Sequence, residues 1–228
     1  MSERAFGISR GPIPRKEIIA EDPLGEFLVW WDDVRSTHAD AFRAALNSAT
    51  REEDLQRHLE AHPMLLVQSL TGGHGRWVIP RQRLGAEFVT DFLVGERSSM
   101  GHEWLAVELE SPRARMFTKS GDPSARLTHA LRQITDWRAW LKNNQNYAAR
   151  PRPESGLGLT GISPSLPALV LIGRRAETDE GTSARRRQMC EDLNVEIHSF
   201  DWLLDVAENR ARIVDSARQS RRARSRTR

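Results

Sequence analysis

Asp91, in the run VTDFLV, and Glu108 and Glu110, in AVELE, are acidic residues set inside two short apolar stretches. Strand side chains alternate. In Glu103 to Glu110 this places Leu105, Val107 and Leu109 on one face and Trp104, Ala106, Glu108 and Glu110 on the other. If the segment around residue 91 pairs antiparallel with it across the Gly95 to Gly101 loop, all three carboxylates converge on one position. They would repel one another there unless a cation neutralised them. A hard divalent ion such as Mg2+ accepts one or two carboxylates and keeps several waters. Such an ion contributes to each need of phosphodiester hydrolysis: shielding the phosphate, activating water and stabilising the leaving oxygen. The alternative is an exposed polar sheet face, and strand alternation alone leaves both open.

The elements that must position these residues are short. Trp77 to Pro80, Glu87 to Val94 and Glu103 to Glu110, separated by glycine-containing turns, predict a meander of three strands. Ahead of them, Glu26 to Ala49 carries apolar residues, Trp30, Trp31 and Phe42 among them, at the spacing of one or two amphipathic helices. Thr50 and Glu53 form a capping box for a helix to about Ala61, which Pro63 ends. Glu52 lies in its first turn, a further candidate for facing the acidic site or only a negative charge that suits the helix dipole. After the meander, Asp122 and Pro123 cap a long helix whose stripe includes Leu127, Ile134, Trp137 and Leu141 and which ends near Asn143 or Asn144. Residues 148–166 read as a mobile loop or linker. The run ALVLIG, a helix with Arg185 to Met189, a strand Asn194 to His198 and a last helix Phe200 to Ala207 suggest parallel pairing onto the same sheet. Residues 1–49 are thus a lead-in and helical extension, 50–207 an α/β domain, and 208–228 a basic tail.

Composition narrows the classes. Cys190 is the only cysteine among 228 residues, which excludes an internal disulfide and a cysteine-based zinc cluster. No run is long enough to cross a bilayer and the start lacks a secretory apolar stretch, so a cytoplasmic location is expected, with no membrane partner. Arg218, Arg221, Arg222, Arg224, Arg226 and Arg228 crowd the end; setting them aside turns the formal net charge from +3 to −3. That end suits a mobile arm drawn to phosphate backbones, or a merely solubilising one. Gly156, Gly158 and Gly161 spell GxGxxG, but no strand precedes them and Pro164 and Pro167 follow, so no helix N-terminus is available for a pyrophosphate. His58 and His62, four apart before Pro63, lack the carboxylate or cysteine set of a zinc site.

In order and content, EEDLQRHLEAHPMLL, RLGAEFVTDFLVG, WLAVELESP, the helix with LRQITDW, and ALVLIGRR with EIHSFDWLL resemble the Shedu antiphage nuclease domain. That domain is a branch of the PD-(D/E)XK nuclease superfamily, and the resemblance covers about residues 50 to 207. It implies an α/β, restriction-endonuclease-like mixed sheet flanked by helices, here with a helical N-terminal extension and a basic C-terminal tail. It implies Asp91 and Glu108 as ligands of Mg2+ or Mn2+, with the Leu109 carbonyl a further donor and DNA as the partner. Glu110 stands where the superfamily usually has a lysine, and a glutamate there can act as a metal ligand or a water-binding base. Lys119 is a candidate for a relocated lysine, or an exposed loop residue. Gln133 and Trp137 look like the Gln-x-x-x-aromatic element beside many such sites, which makes Gln133 a fourth catalytic candidate.

The expected function is metal-dependent DNA cleavage in antiphage defence. A catalytically silent nuclease-fold module that binds nucleic acid or a partner protein is the alternative. A helical interaction protein, using Trp30, Trp31 and Phe42 as a partner surface, is the third reading. A homo-oligomer through the N-terminal helices is compatible with each.

Overall fold

The computed structural model describes residues 14–70, 75–178 and 180–226. The chain opens with α1 (Arg15–Glu21), α2 (Ser36–Ser48) and α3 (Glu52–Ala61). It then lays down β1 (Gly75–Pro80), a two-residue hairpin of β2 (Arg83–Leu84) and β3 (Phe88–Val89), β4 (Phe92–Ser98) and β5 (Gly101–Leu109). The 25-residue α4 (Ala125–Ala149) is followed by β6 (Ala168–Leu171), α5 (Ser183–Leu193), β7 (Val195–His198) and α6 (Phe200–Arg226). Five strands form one mixed sheet in the order β1-β4-β5-β6-β7. The β1–β4 and β4–β5 pairs are antiparallel, while β6 and β7 add in parallel, as their helical crossovers require.

Both sheet faces are covered at the central parallel strand β6, so it is apolar throughout: Ala168 to Leu171 are all buried. On one face Trp104, Ala106, Ala168 and Val170 pack with Leu127, Ala130, Ile134 and Trp137 of α4. On the other, Val107, Leu109, Leu169 and Leu171 meet Phe42, Leu55, Leu59, Phe200 and Leu203 from α2, α3 and α6. Burying each of the Val, Leu, Ile and Phe side chains contributes about 1.5–3 kcal/mol, which makes these two layers the dominant source of stability. The fold is therefore the expected α/β sheet flanked by helices.

Several local expectations are corrected. The segment Glu87 to Val94 is not one strand. Thr90 donates its amide to the Gln82 carbonyl at 3.0 Å and Arg81 to that of Asp91 at 2.9 Å, closing the small hairpin and starting β4 only at Phe92. Between Glu26 and Ala49 the α-helix is confined to Ser36–Ser48; Trp31 sits in a 3-10 turn, and Phe42 belongs to the core and not to a partner surface. The α3 cap is formed one residue later than expected, Asp54 accepting the amides of Thr50 (3.2 Å) and Arg51 (3.1 Å). Ser124, not Asp122, caps α4, its Oγ accepting the Leu127 amide at 3.1 Å. That helix bends at Asn144 and continues to Ala149. The loop after it is anchored by Leu159, Ile162 and Leu166, all buried in the core. The described part of the lead-in is helical, whereas residues 1–13 lie outside the described residues.

The largest difference is at the other end. Instead of stopping at Ala207, α6 runs on to Arg226, because Ala207, Ala211 and Val214 prolong its buried stripe. Asp215 accepts from Ser36 Oγ at 2.8 Å, and Arg218 donates to the Asp32 carbonyl at 2.8 Å. The arginine-rich end to Arg226 is thus a helix continuation, and not an extended arm.

Gly173 is where the sheet, the chain leaving β5 and α6 are tied together. Its amide donates to Ser111, and its carbonyl accepts from Phe200 at the start of α6. Its φ is +69°, and a Cβ there would sit 2.2 Å from the Ala114 carbonyl oxygen. Gly173→Ala combines left-handed strain with a backbone clash and should cost about 2–3 kcal/mol. Chemical denaturation monitored by circular dichroism checks this, and an unchanged midpoint would contradict it.

Candidate active site

Asp91 occupies the bend between β3 and β4, and its backbone is fixed twice. Its carbonyl accepts from the Arg81 amide at 2.9 Å and from Gln56 Nε2 on α3 at 3.3 Å. Arg81 takes a left-handed conformation (φ +48°) to make that contact, and its guanidinium is 2.8 Å from Glu60. The Asp91 carboxylate accepts the Leu109 amide at 2.8 Å, so it lies against the end of β5. Burial pushes its pKa up to about 6, although the Leu109 amide, a hydrogen bond with Glu108 and the Arg81 charge all act against the rise.

The two glutamates share a face, as strand alternation requires, and both are buried: Glu108 is 4% exposed and Glu110 1%. Burial, then the charges of Asp91, Glu52 and Glu110, push the Glu108 carboxyl up to about 10. One oxygen on each glutamate, Oε2, has no hydrogen-bond partner. Glu110 is held from α4, with His129 Nδ1 3.2 Å from its Oε1 and Arg126 Nη1 3.5 Å from its Oε2. Its amide donates to Leu171 at 2.8 Å, which ties the site to β6.

The structure raises the standing of Glu52. At the first position of α3 it feels Asp91 and Glu110, and burial together with those charges pushes its pKa up to about 7. Arg126 opposes that rise. Glu52 and Gln56 are four apart, on one face of α3 that also carries buried Leu55 and Leu59. Two polar residues at helical spacing beside an apolar stripe were the available signal for both. Arg126 and His129 gave no such signal, since nothing in the sequence marks which face of α4 meets Glu110. Gln133 lies one turn beyond His129 with a buried, unpartnered Oε1. Lys119 lines a different cavity with Arg115, Glu177 and Arg186, and makes no ion pair among the described residues.

Among the described residues no group of three or more His, Cys, Asp or Glu is arranged to hold a metal ion. Magnesium does not need three, since one or two carboxylates and water complete its shell. Asp91 and Glu108, hydrogen-bonded to each other, offer hard oxygen donors, and Glu108 Oε2 is buried with no hydrogen-bond partner. The donor set fits Mg2+ or Mn2+.

Because the carboxyls of Glu52, Asp91 and Glu108 are raised in the folded protein, each favours folding while protonated, and that contribution is lost as pH climbs through its folded pKa. His38, His58 and His102, whose pKa values burial lowers, act in the opposite sense near pH 6. A comparison between variants isolates the acids. In chelator, Glu108→Gln should melt higher than wild type, by a margin that widens as pH rises from about 5 to about 9. Thermal denaturation across that range checks it; a constant or shrinking margin would count against the buried acidic cluster.

Comparison with known proteins shows the family of the chain. A family model described as Shedu protein SduA, C-terminal, matches residues 49–204, from the residue before the α3 cap into α6. The match contains Glu52, Asp91, Glu108, Glu110 and Gln133. No curated protein sequence matches. Among solved structures, that of restriction endonuclease FokI bound to DNA superimposes with a TM-score of 0.44 at 12% identity. The superposition covers 91% of this chain and 31% of the FokI chain, so this chain spans about a third of that protein's length. With more than half of its residues matched, carboxylate cluster included, this chain belongs to the Shedu SduA C-terminal family.

Proposed function

We propose that this domain is a divalent-metal-dependent DNA endonuclease acting in antiphage defence. The observation that carries the reading is the convergence of Glu52, Asp91, Glu108 and Glu110 at the end of β5, where burial and mutual repulsion raise three of the four. Isolated acidic groups on an exposed face would not couple in this way. Family membership supports nuclease-type chemistry in defence.

Asp91 and Glu108 would hold the cation, and when bound it would shield the phosphate, acidify water and stabilise the leaving oxygen. The residues of the chain supply the rest. The Leu109 amide and the contacts of Gln56 and Arg81 fix Asp91, so that its carboxylate needs no reorganisation. Glu52, with a pKa near 7, is suited to accept a proton from the attacking water. Gln133, with its unpartnered oxygen beside this face of α4, would orient that water. Glu110, standing where a lysine is common, would offer a further carboxylate to the cation if its contacts with Arg126 and His129 were released. The arginine-rich end of α6 belongs elsewhere. Arg218 lies about 27 Å along the helix from Phe200, at 1.5 Å per residue, and Phe200 marks the end of the sheet near the acids. Any grip of that end on DNA is therefore a separate anchor.

One observation favours a silent, DNA-binding domain as the second reading: Glu110 is engaged by two α4 side chains in place of a third ligand position. Plasmid nicking separates the two. Wild type should nick with Mg2+ or Mn2+ and stop with chelator, and Asp91→Asn or Glu108→Gln should lower the rate about a hundredfold or more, as loss of a metal ligand does. Wild-type protein that binds plasmid but never nicks it would leave the silent reading.

A further inference from the structure

Arg126 and Arg132 are exposed cations on the first turns of α4, and their neighbours give them a direction. Arg126 is 63% exposed, and its one ion pair among the described residues is with Glu110, which is 1% exposed beneath it. Arg132 forms no ion pair among the described residues. A groove of about 330 Å³ runs over this part of the helix, lined by Pro123, Ala125, Thr128, His129 and Arg132. His129 lines the groove and also touches Glu110, so one side chain separates the groove from the acidic cluster. Asp122, the acid nearest the helix start, is matched by Arg185 at 3.1 Å. The groove therefore presents positive charge beside a site that is itself negative.

An anionic substrate must approach that negative site before any chemistry can occur. A guanidinium at 3.5 Å makes a weak, poorly aligned contact with a carboxylate, while phosphate offers it bidentate geometry. We infer that Arg126 and Arg132 form a phosphate-contacting track over the start of α4, and that Arg126 reaches the nucleic-acid backbone by exchanging its contact with Glu110. The exchange couples two events. Backbone binding frees the Glu110 carboxylate at the moment the substrate arrives, and a Glu110 that no longer competes for Arg126 strengthens backbone binding by the same factor.

This inference rests on the proposed nuclease reading, and it is tested by binding and not by cleavage. Fluorescence anisotropy of a labelled DNA oligonucleotide, in chelator, is measured against salt for wild type, Arg126→Ala, Arg132→Ala and the double variant. Both positions are exposed, and circular dichroism verifies that the variants fold. Each lost phosphate contact should flatten the slope of log affinity against log salt by about one, with the double variant at least about tenfold weaker near 0.1 M salt. Arg126→Lys should keep most of the slope. Glu110→Gln should tighten binding, and by clearly less when Arg126 is already alanine. A folded double variant with wild-type slope and affinity overturns the track. An equal gain from Glu110→Gln in both backgrounds overturns the exchange. Wild-type protein that neither binds nor cuts DNA would instead overturn the nuclease reading itself.

Discussion

Four carboxyl groups crowded at the end of one strand, Glu108 and Glu110 buried and Glu52 and Asp91 half-buried, set the terms for the rest of this molecule. Transferring a charged carboxylate from water to a protein interior is costly unless it is paired or protonated. Here Asp91 and Glu108 share a hydrogen bond, Glu110 leans on Arg126 and His129, and Glu52 completes the ring from α3. The folded chain tolerates this arrangement only because two apolar layers, one under α4 and one under α2, α3 and α6, supply ample stability elsewhere. Unfavourable groups kept together at the expense of stability are a sign of function.

The positioning is distributed over sequence. Asp91 is placed by a small hairpin and a left-handed arginine, the glutamates by strand alternation, and Glu52 by the cap that starts α3. Gly173 joins these pieces, since it lets the chain after Glu110 pass close to the start of α6. The end of the sheet that carries the acids is thus braced by α3, α4, β6 and the small hairpin, while Arg218 lies near the far end of α6.

How much of this could be read from sequence follows from the range of the interactions. The paired strands, the shared face of Glu108 and Glu110 and the amphipathic α4 are consequences of period-two and helical patterns, which are local, and they were legible. The break before Phe92 was not, because it depends on amides that bond across the hairpin from Arg81 and Gln82. The continuation of α6 past Ala207 depends on a stripe that meets α2, 150 or more residues away in sequence, and composition hid it behind a run of arginines. For the site, Asp91, Glu108 and Glu110 were legible as candidates. Arg126 and His129 were not, since only tertiary contact shows that they face Glu110.

The central claim is that the carboxyls of Glu52, Asp91 and Glu108 are raised by burial and by their acidic neighbours, and that a hard cation relieves them. Calorimetric titration of Mn2+ into the metal-free protein at pH 7, repeated in two buffers of different ionisation enthalpy, tests it most directly, because the difference between the buffers counts protons. The account predicts saturable binding that expels about one proton or more per cation, drawn chiefly from Glu108, and less in Glu108→Gln. Binding with no proton release, or no saturable binding at millimolar Mn2+, would contradict it.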